Sequence, residues 1–406
     1  MGALSRRGQA FADRSPLSSY MQASRDHADR RWAADRPDGF VDLSTAENKL
    51  VWDLLEEPLS AARAVPSRAV GYDDVRGSAR LREAVAEFGA GHFLGVRFRP
   101  DEICTLAGAG AVLEAVFYSL CDPGDGVLLA TPGYPGFWMD LENRDEVAVV
   151  GVPTAWGDGF RIRRSALDAA FESADRPIRA LLLASPANPT GQLLDAEELD
   201  DLVGWCRDRR IHLVVDEVYA LSVFDGSPFT SITHVTDPQD DVHVVWALSK
   251  DFGVSGLRCG FLMTRNEQLG RSVSAQGVWS GVSGRTQHLW AELLSNDSWT
   301  ERYLAAMPAR LAAAHSAVTD ALAGAGIRHM PGRAGFFVMV DLSTHLDEPT
   351  HRAEQRLWSR MVDRGVNLTP GEALRAPTPG WFRLCFAATP IESLALGVER
   401  IAAAVS

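Results

Sequence analysis

The sequence predicts an α/β fold: a large domain with a mostly parallel sheet flanked by helices, followed by a smaller α+β domain. Three observations carry this. From Gly77 onward, helix-like and strand-like segments alternate, the pattern of strand-helix-strand units. The strand-like segments are short, continuously apolar runs, and each ends in a residue with chemical potential. After a long helical stretch from Asp297 to Ala325 the spacing changes, and strands are expected near Phe336–Asp341 and Phe382–Phe386.

The elements follow in order. Residues 1–40 are polar and arginine-rich and are expected to form an N-terminal arm with a short helix, before a first ordered motif at Val41–Leu55. Leu81–Phe88 and Ala111–Leu120 read as helices. Gly126–Ala130, Val147–Val152, Ala180–Ala184, Ile211–Val215 and Val242–Ala247 read as buried strands. The expected division assigns 41–70 to the N-terminal part of the small domain, 71–300 to the large domain and 301–406 to the C-terminal small domain. Open α/β sheets bind ligands just beyond the carboxyl ends of their strands, so function is expected there.

Composition narrows the class. The chain has 406 residues, long enough for two cores, with 46% apolar and 23% charged residues, as in an ordinary globular protein. A net charge of -13 argues against a nucleic-acid binder held by a general positive field. Cys104, Cys121, Cys206, Cys259 and Cys385 are scattered and lack metal-ligand spacing, so reduced thiols in a cytoplasmic protein without a metal are expected. The first thirty residues carry no apolar core for a signal peptide, and no 18-residue apolar run follows, so no membrane association is expected.

The chain holds 38 arginines and only two lysines, one of them Lys250, directly after the strand Val242–Ala247. Arginine stays protonated, whereas a lysine amine can lose its proton and condense with an aldehyde. Five further features stand in order around it. Gly108-Ala109-Gly110 opens a helix, where bare backbone N–H groups suit a phosphate. Thr131-Pro132-Gly133-Tyr134-Pro135 would hold the Tyr134 ring at the sheet edge, able to stack on a flat cofactor. Asn188 in Asn-Pro-Thr-Gly could hydrogen-bond a ring oxygen, and Tyr219 could reach the same atom. Asp216 ends an apolar strand, where a buried carboxylate needs a cation; a protonated pyridine nitrogen is one. Arg258, eight residues after Lys250 and with Ser249 nearby, suits a phosphate, and Arg383 inside an apolar strand suits a substrate carboxylate. Singly, each has a plain structural reading; together they describe a site for pyridoxal 5'-phosphate (PLP).

Over roughly residues 40–400 the chain resembles the fold-type I PLP enzymes of the class I/II aminotransferase group. Within it the chain looks most like 1-aminocyclopropane-1-carboxylate (ACC) synthase. The phrases that carry the likeness are Ala46-Glu47-Asn48-Lys49-Leu50, Asp122-Pro123-Gly124-Asp125, Tyr134-Pro135-Gly136-Phe137, Leu248-Ser249-Lys250-Asp251 and Gly380-Trp381-Phe382-Arg383. The resemblance implies a seven-stranded sheet and a homodimer with sites at the subunit interface. It also implies that Lys250 binds the cofactor covalently and acts as base, that Asp216 pairs with the ring nitrogen and that Tyr134 stacks on the ring. Asn188 and Tyr219 would bind the ring oxygen, and Arg258, Ser249, Ala109 and Gly110 the phosphate. Arg383 would take the substrate carboxylate, with Glu47 near the substrate's far end.

The implied substrate is an amino acid with a Cγ leaving group, S-adenosylmethionine above all, with a second small-molecule substrate if the reaction is a γ-replacement. An aminotransferase is the alternative. Two positions depart from the pattern: Ala247 stands where the family generally has serine, and Val75 where ACC synthases carry tyrosine. Tyr72 is then the candidate for the partner-subunit phosphate contact.

Overall fold

The protein is described from a computed structural model covering residues 3–13, 17–61 and 65–406. Thirteen strands run along the described residues. β1 (Val41–Asp42) comes first. β2 (Ile103–Leu106), β3 (Gly126–Thr131), β4 (Ala148–Pro153), β5 (Ile178–Ala184), β6 (His212–Asp216), β7 (Val242–Ala247) and β8 (Gly260–Met263) follow. β9 (Arg328–Met330), β10 (Phe337–Asp341), β11 (Val366–Asn367), β12 (Thr369–Pro370) and β13 (Trp381–Cys385) complete the set.

Seven of them form one sheet in the order β2-β8-β7-β6-β5-β3-β4. β3 through β7 pair parallel, while β8 runs antiparallel to both β7 and β2. Two reversals leave β2 pointing the same way as β7, so the chain leaves β2, β3, β5, β6 and β7 at one edge and enters β8 from it. The fully buried runs of β7 and the near-continuous burial of β5 reflect helices on both faces, which is why these strands read as apolar runs rather than alternating ones. Five of the seven strands were legible. β2 and β8, at four residues each, are too short to show a period of their own.

The second sheet is antiparallel, β12-β13-β10-β9, and β1 pairs parallel with β11 beside it. The helices Asp297–Gly324, His351–Asp363 and Leu394–Val405 belong to this part of the chain. Residue 300, the expected end of the large domain, lies in the first turn of the 28-residue helix. The arm carries two short helices rather than one, Arg6–Asp13 and Ser19–Asp26. The second is fastened to the smaller sheet region: buried Asn367 donates from Nδ2 to the Tyr20 carbonyl, the Ser44 hydroxyl and Asp42 at 2.9, 3.0 and 3.3 Å. Buried amides are costly to leave unpaired, and this one is spent on joining three segments.

Candidate active site

The shared strand edge gathers the candidate residues into two adjoining cavities. The inner one, of about 180 Å³, is walled by Ala109, Gly110, Tyr134, Asn188, Asp216, Tyr219, Ser249 and Arg258. The outer one, of about 480 Å³, is walled among others by Glu47, Arg383, Tyr20 and Arg375. Lys250, Tyr134 and Arg258 line both.

Each inner residue is placed by a strand end. β7 runs straight into the single helical turn Leu248–Asp251, which presents Lys250 at the mouth of the sheet. The Lys250 amine donates to the Ala46 carbonyl at 2.7 Å. Burial, and next the positive charge of Arg383, bring that amine down to about 8, within reach of its neutral form near physiological pH. The neighbouring Asp251 is fully buried and accepts from Trp246 Nε1 at 2.9 Å and the Ser222 hydroxyl at 2.7 Å, which pins the turn.

Asp216, the last residue of β6, is 5% exposed, and among the described residues its carboxyl accepts one hydrogen bond, from the Val218 backbone N–H at 3.3 Å. Burial pushes its carboxyl up to about 7, against the pull of that N–H. A cation placed beside it would return it to the carboxylate form. Asn188, after the end of β5, and Tyr219, three residues past Asp216, meet across the wall: Asn188 Nδ2 donates to the Tyr219 hydroxyl at 3.3 Å, leaving the Tyr219 proton free for a further acceptor.

The end of the inner cavity beside Arg258 follows from glycine geometry. Gly108, at φ +95°, caps the helix Ala109–Leu120 and leaves the Ala109 and Gly110 amides without an intrahelical acceptor. A Cβ at Gly108 would lie 2.4 Å from Arg258 Nη2 and would displace the guanidinium, on a backbone that L side chains rarely adopt. Gly136 has a similar task. A Cβ on it would sit 2.3 Å from the Tyr134 ring. Ala247 is fully buried and offers no hydroxyl, as its sequence position implied.

In the outer cavity Arg383 is 2% exposed. Its Nη1 donates to Asn188 Oδ1 at 2.9 Å, and Nη2 to the Ser44 carbonyl at 2.9 Å and the Thr369 hydroxyl at 3.1 Å. Its Nε has no partner, and among the described residues no carboxylate pairs with it. Glu47 Oε1 accepts from the Ser255 hydroxyl at 3.2 Å, and its other oxygen faces Lys49 at 3.6 Å.

A single chain does not bring Tyr72 to either cavity. It is fully exposed, on a segment that packs against the helix Glu267–Ser280 through the Val75 carbonyl near Gly277. Several residues of the walls escaped sequence reasoning. Asp140 faces Gly110 and Arg258, with its carboxyl raised to about 7 by burial against the pull of Arg258. Ser44, Ser255, Tyr20 and Arg375 are others. They sit on loops or helices with no apolar strand to draw attention to them.

The donor set fits PLP. Asp216 is a buried carboxyl that a cation would ionise, Asn188 and Tyr219 converge on one acceptor, and the Gly108–Gly110 cradle with Arg258 suits a dianion. Lys250 offers an amine with a lowered pKa between them.

Comparison with known proteins agrees. The family described as "Aminotransferase class I and II" matches residues 40–401. The chain is 37% identical to 1-aminocyclopropane-1-carboxylate synthase 6 of Arabidopsis thaliana, over 90% of this chain and 78% of that protein. It is 34% identical to 1-aminocyclopropane-1-carboxylate synthase 1 of Prunus mume, with the same coverage. In fold it is similar to a Thermus thermophilus aspartate aminotransferase double mutant, with a TM-score of 0.84 over the whole of both chains at 24% identity. A Thermotoga maritima aspartate aminotransferase gives 0.80, at 24% identity, over 98% of this chain and 99% of that one. Spanned almost end to end by the family match and carrying this donor set at its sheet edge, the chain belongs to the class I and II aminotransferases and is a PLP-dependent enzyme.

Proposed function

We propose that the enzyme acts on an amino acid with a leaving group on Cγ, S-adenosylmethionine first among them, by removing its Cα proton with loss of methylthioadenosine. The four-carbon unit then either closes a cyclopropane, as in ACC synthases, or passes to a second small-molecule substrate. The observation that carries the amino acid is Arg383, a buried guanidinium with no carboxylate of its own, in the same cavity as Lys250. The likeness at 37% identity to an ACC synthase supports the Cγ leaving group.

In this reading Asp216, Asn188, Tyr219, Tyr134, Ser249, Arg258 and the Ala109 and Gly110 amides hold PLP. PLP supplies, when bound, an electron-poor ring that spreads the charge left on Cα. Arg383 orients the α-carboxylate so that the Cα–H points at the Lys250 amine, whose lowered pKa suits it to take that proton. Glu47, at the far end of the cavity, faces the cationic sulfonium. Asp251 and the Ala46 carbonyl hold Lys250 in line.

The same set would also serve an aminotransferase, and the fold relatives are aspartate aminotransferases. Incubating the holoenzyme with S-adenosylmethionine and following methylthioadenosine by mass spectrometry decides between the two. Release that is absent in Lys250→Ala supports the proposal. Formation of a keto acid with methylthioadenosine still attached would replace it with transamination.

We also infer a homodimer. Val70, Tyr72, Val278 and Trp279 are all more than two-thirds exposed, and the two segments that carry them pack together, so an apolar face surrounds Tyr72. Tyr72 would then reach the partner's phosphate end. The division of the chain near residues 70 and 300 belongs to this reading as well. Five free, buried cysteines suit a reducing, cytoplasmic setting, and no described helix is long and apolar enough to cross a membrane.

A further inference from the structure

Arg383 faces the outer cavity with fewer donors than a carboxylate can use. Its Nη2 is fully occupied, by the Ser44 carbonyl at 2.9 Å and the Thr369 hydroxyl at 3.1 Å. Nη1 gives one hydrogen to Asn188 at 2.9 Å and keeps the other, and Nε keeps its single one. Both edges of a guanidinium that bind a carboxylate through two parallel hydrogen bonds include Nη2, which here has no hydrogen left to give. Arg383 therefore supplies the charge and one direct hydrogen bond. A second donor has to come from another part of the wall.

Tyr20 stands in the same wall, buried at 6% exposure. Among the described residues its hydroxyl has no hydrogen-bond partner, yet it is not sealed inside the protein as the Arg383 Nε is, so it opens on the cavity. The electrostatics put it beside Arg383. Burial works against the Arg383 charge, but Cys385, then Tyr20, Tyr219 and Tyr134 stand around the guanidinium and hold its pKa above the ordinary arginine value. Tyr20 acts more strongly there than Tyr219, which lies only one side chain away because Asn188 bonds both Tyr219 and Arg383. The Tyr134 hydroxyl also feels Tyr20, after burial and Asp140, and is pushed up by all three.

The placement is held from both ends of the helix Ser19–Asp26. In its first turn, fully buried Asn367 donates from Nδ2 to the Tyr20 carbonyl at 2.9 Å and to the Ser44 hydroxyl at 3.0 Å. The Ser44 carbonyl is the one that takes Arg383 Nη2, so a single residue joins the helix to the guanidinium. Towards the other end the Ser24 hydroxyl donates to Asp42, and Arg31 Nη2 bonds both, at 2.8 and 3.1 Å. A hydroxyl on so fixed a frame is ordered before a ligand arrives and loses little entropy in binding it.

We propose that the Tyr20 hydroxyl donates to the α-carboxylate of the substrate beside Arg383, which makes the helix of the N-terminal arm part of the amino acid site. The proposal rests on the reading of Arg383 as the partner of that carboxylate and deepens it. The carboxylate takes its charge pairing from Arg383 and a second hydrogen bond from Tyr20.

The test uses holoenzyme and two ligands whose amines perturb the cofactor absorbance on binding: L-methionine, and 3-(methylthio)propylamine, the same molecule without its carboxylate. Dissociation constants are measured by absorbance titration on wild type, Tyr20→Phe and Arg383→Gln. Tyr20→Phe should weaken L-methionine at least about tenfold, the scale of one hydrogen bond to a charged group, and leave the amine within about twofold of wild type. Arg383→Gln should discriminate between the two ligands in the same sense. Equal cofactor absorbance per chain in all three proteins shows that the variants are folded and loaded. Unchanged methionine affinity in Tyr20→Phe, with a loss in Arg383→Gln, would overturn the proposal and leave the reading of Arg383 intact. Equal weakening of both ligands in Tyr20→Phe would overturn it as well, because a side chain that only shapes the cavity does not distinguish a carboxylate from a hydrogen. If Arg383→Gln binds methionine as wild type does, the reading of Arg383 fails and the proposal with it.

Discussion

The inner and outer cavities share Lys250 and Tyr134 but are built differently. The inner wall comes from the ends of neighbouring strands of one sheet, whose spacing is set by backbone hydrogen bonds. The outer wall is assembled from stretches distant in sequence: residues from 18–21, 44–47, 134–139, 250–258 and 372–375, with Arg383. Side chains on a sheet edge keep their relative positions when surface loops change, whereas an assembled wall changes with any of its parts. The inner end is therefore the more rigid part of the site, and the outer end the part more open to change.

The largest effect is expected at the outer end. Arg383→Gln removes a buried charge that the substrate carboxylate would otherwise meet. A loss of about 2–5 kcal/mol in transition-state binding, roughly 30- to 5,000-fold in kcat/KM, should follow. Cofactor absorbance should be unchanged. An equal loss of cofactor affinity would break the distinction between the cavities.

The inner end is sharpened by Gly108→Ala. Its φ of +95° makes any side chain costly there, and a Cβ would also push the Arg258 guanidinium aside. The strain of about 1–3 kcal/mol should weaken PLP binding by roughly 5- to 150-fold, read by equilibrium dialysis of the apoprotein. Once reconstituted, the variant should bind L-methionine as wild type does.

The junction gives the smallest effect and needs no variant. The amine of Lys250, near 8, is a cation below that pH and free above it, and only the free amine attacks an aldehyde. The rate of PLP capture by the apoprotein should rise about tenfold between pH 7 and 9 and then level off. A rate still climbing steeply beyond pH 10 would mean a lysine at its ordinary pKa, and a cavity wetter than the structure describes.

Much of the inner cavity was legible because a polar residue at the end of an apolar run is conspicuous. Asp216, Asn188, Lys250 and Tyr134 all stand out this way, and Arg383 does so inside a strand. Asp140 was not, since it lies within the helix Pro135–Glu142, away from any strand end, and reaches the cavity only because that helix packs beside Gly110. Tyr20 was hidden for a different reason. Its approach to the cavity depends on Asn367, which is 347 residues away.

From its sequence alone this chain declares an alternating α/β fold, a scarce lysine at a strand end and a set of motifs in one order, because periodicity and turn chemistry act over short distances. The tertiary structure decided how β2 and β8 close the sheet, and with them the meeting of Gly108 and Arg258. It also decided which segments face Arg383 and Arg375 across the outer cavity. Those contacts join residues hundreds of positions apart, and no local pattern encodes a distance that only packing sets.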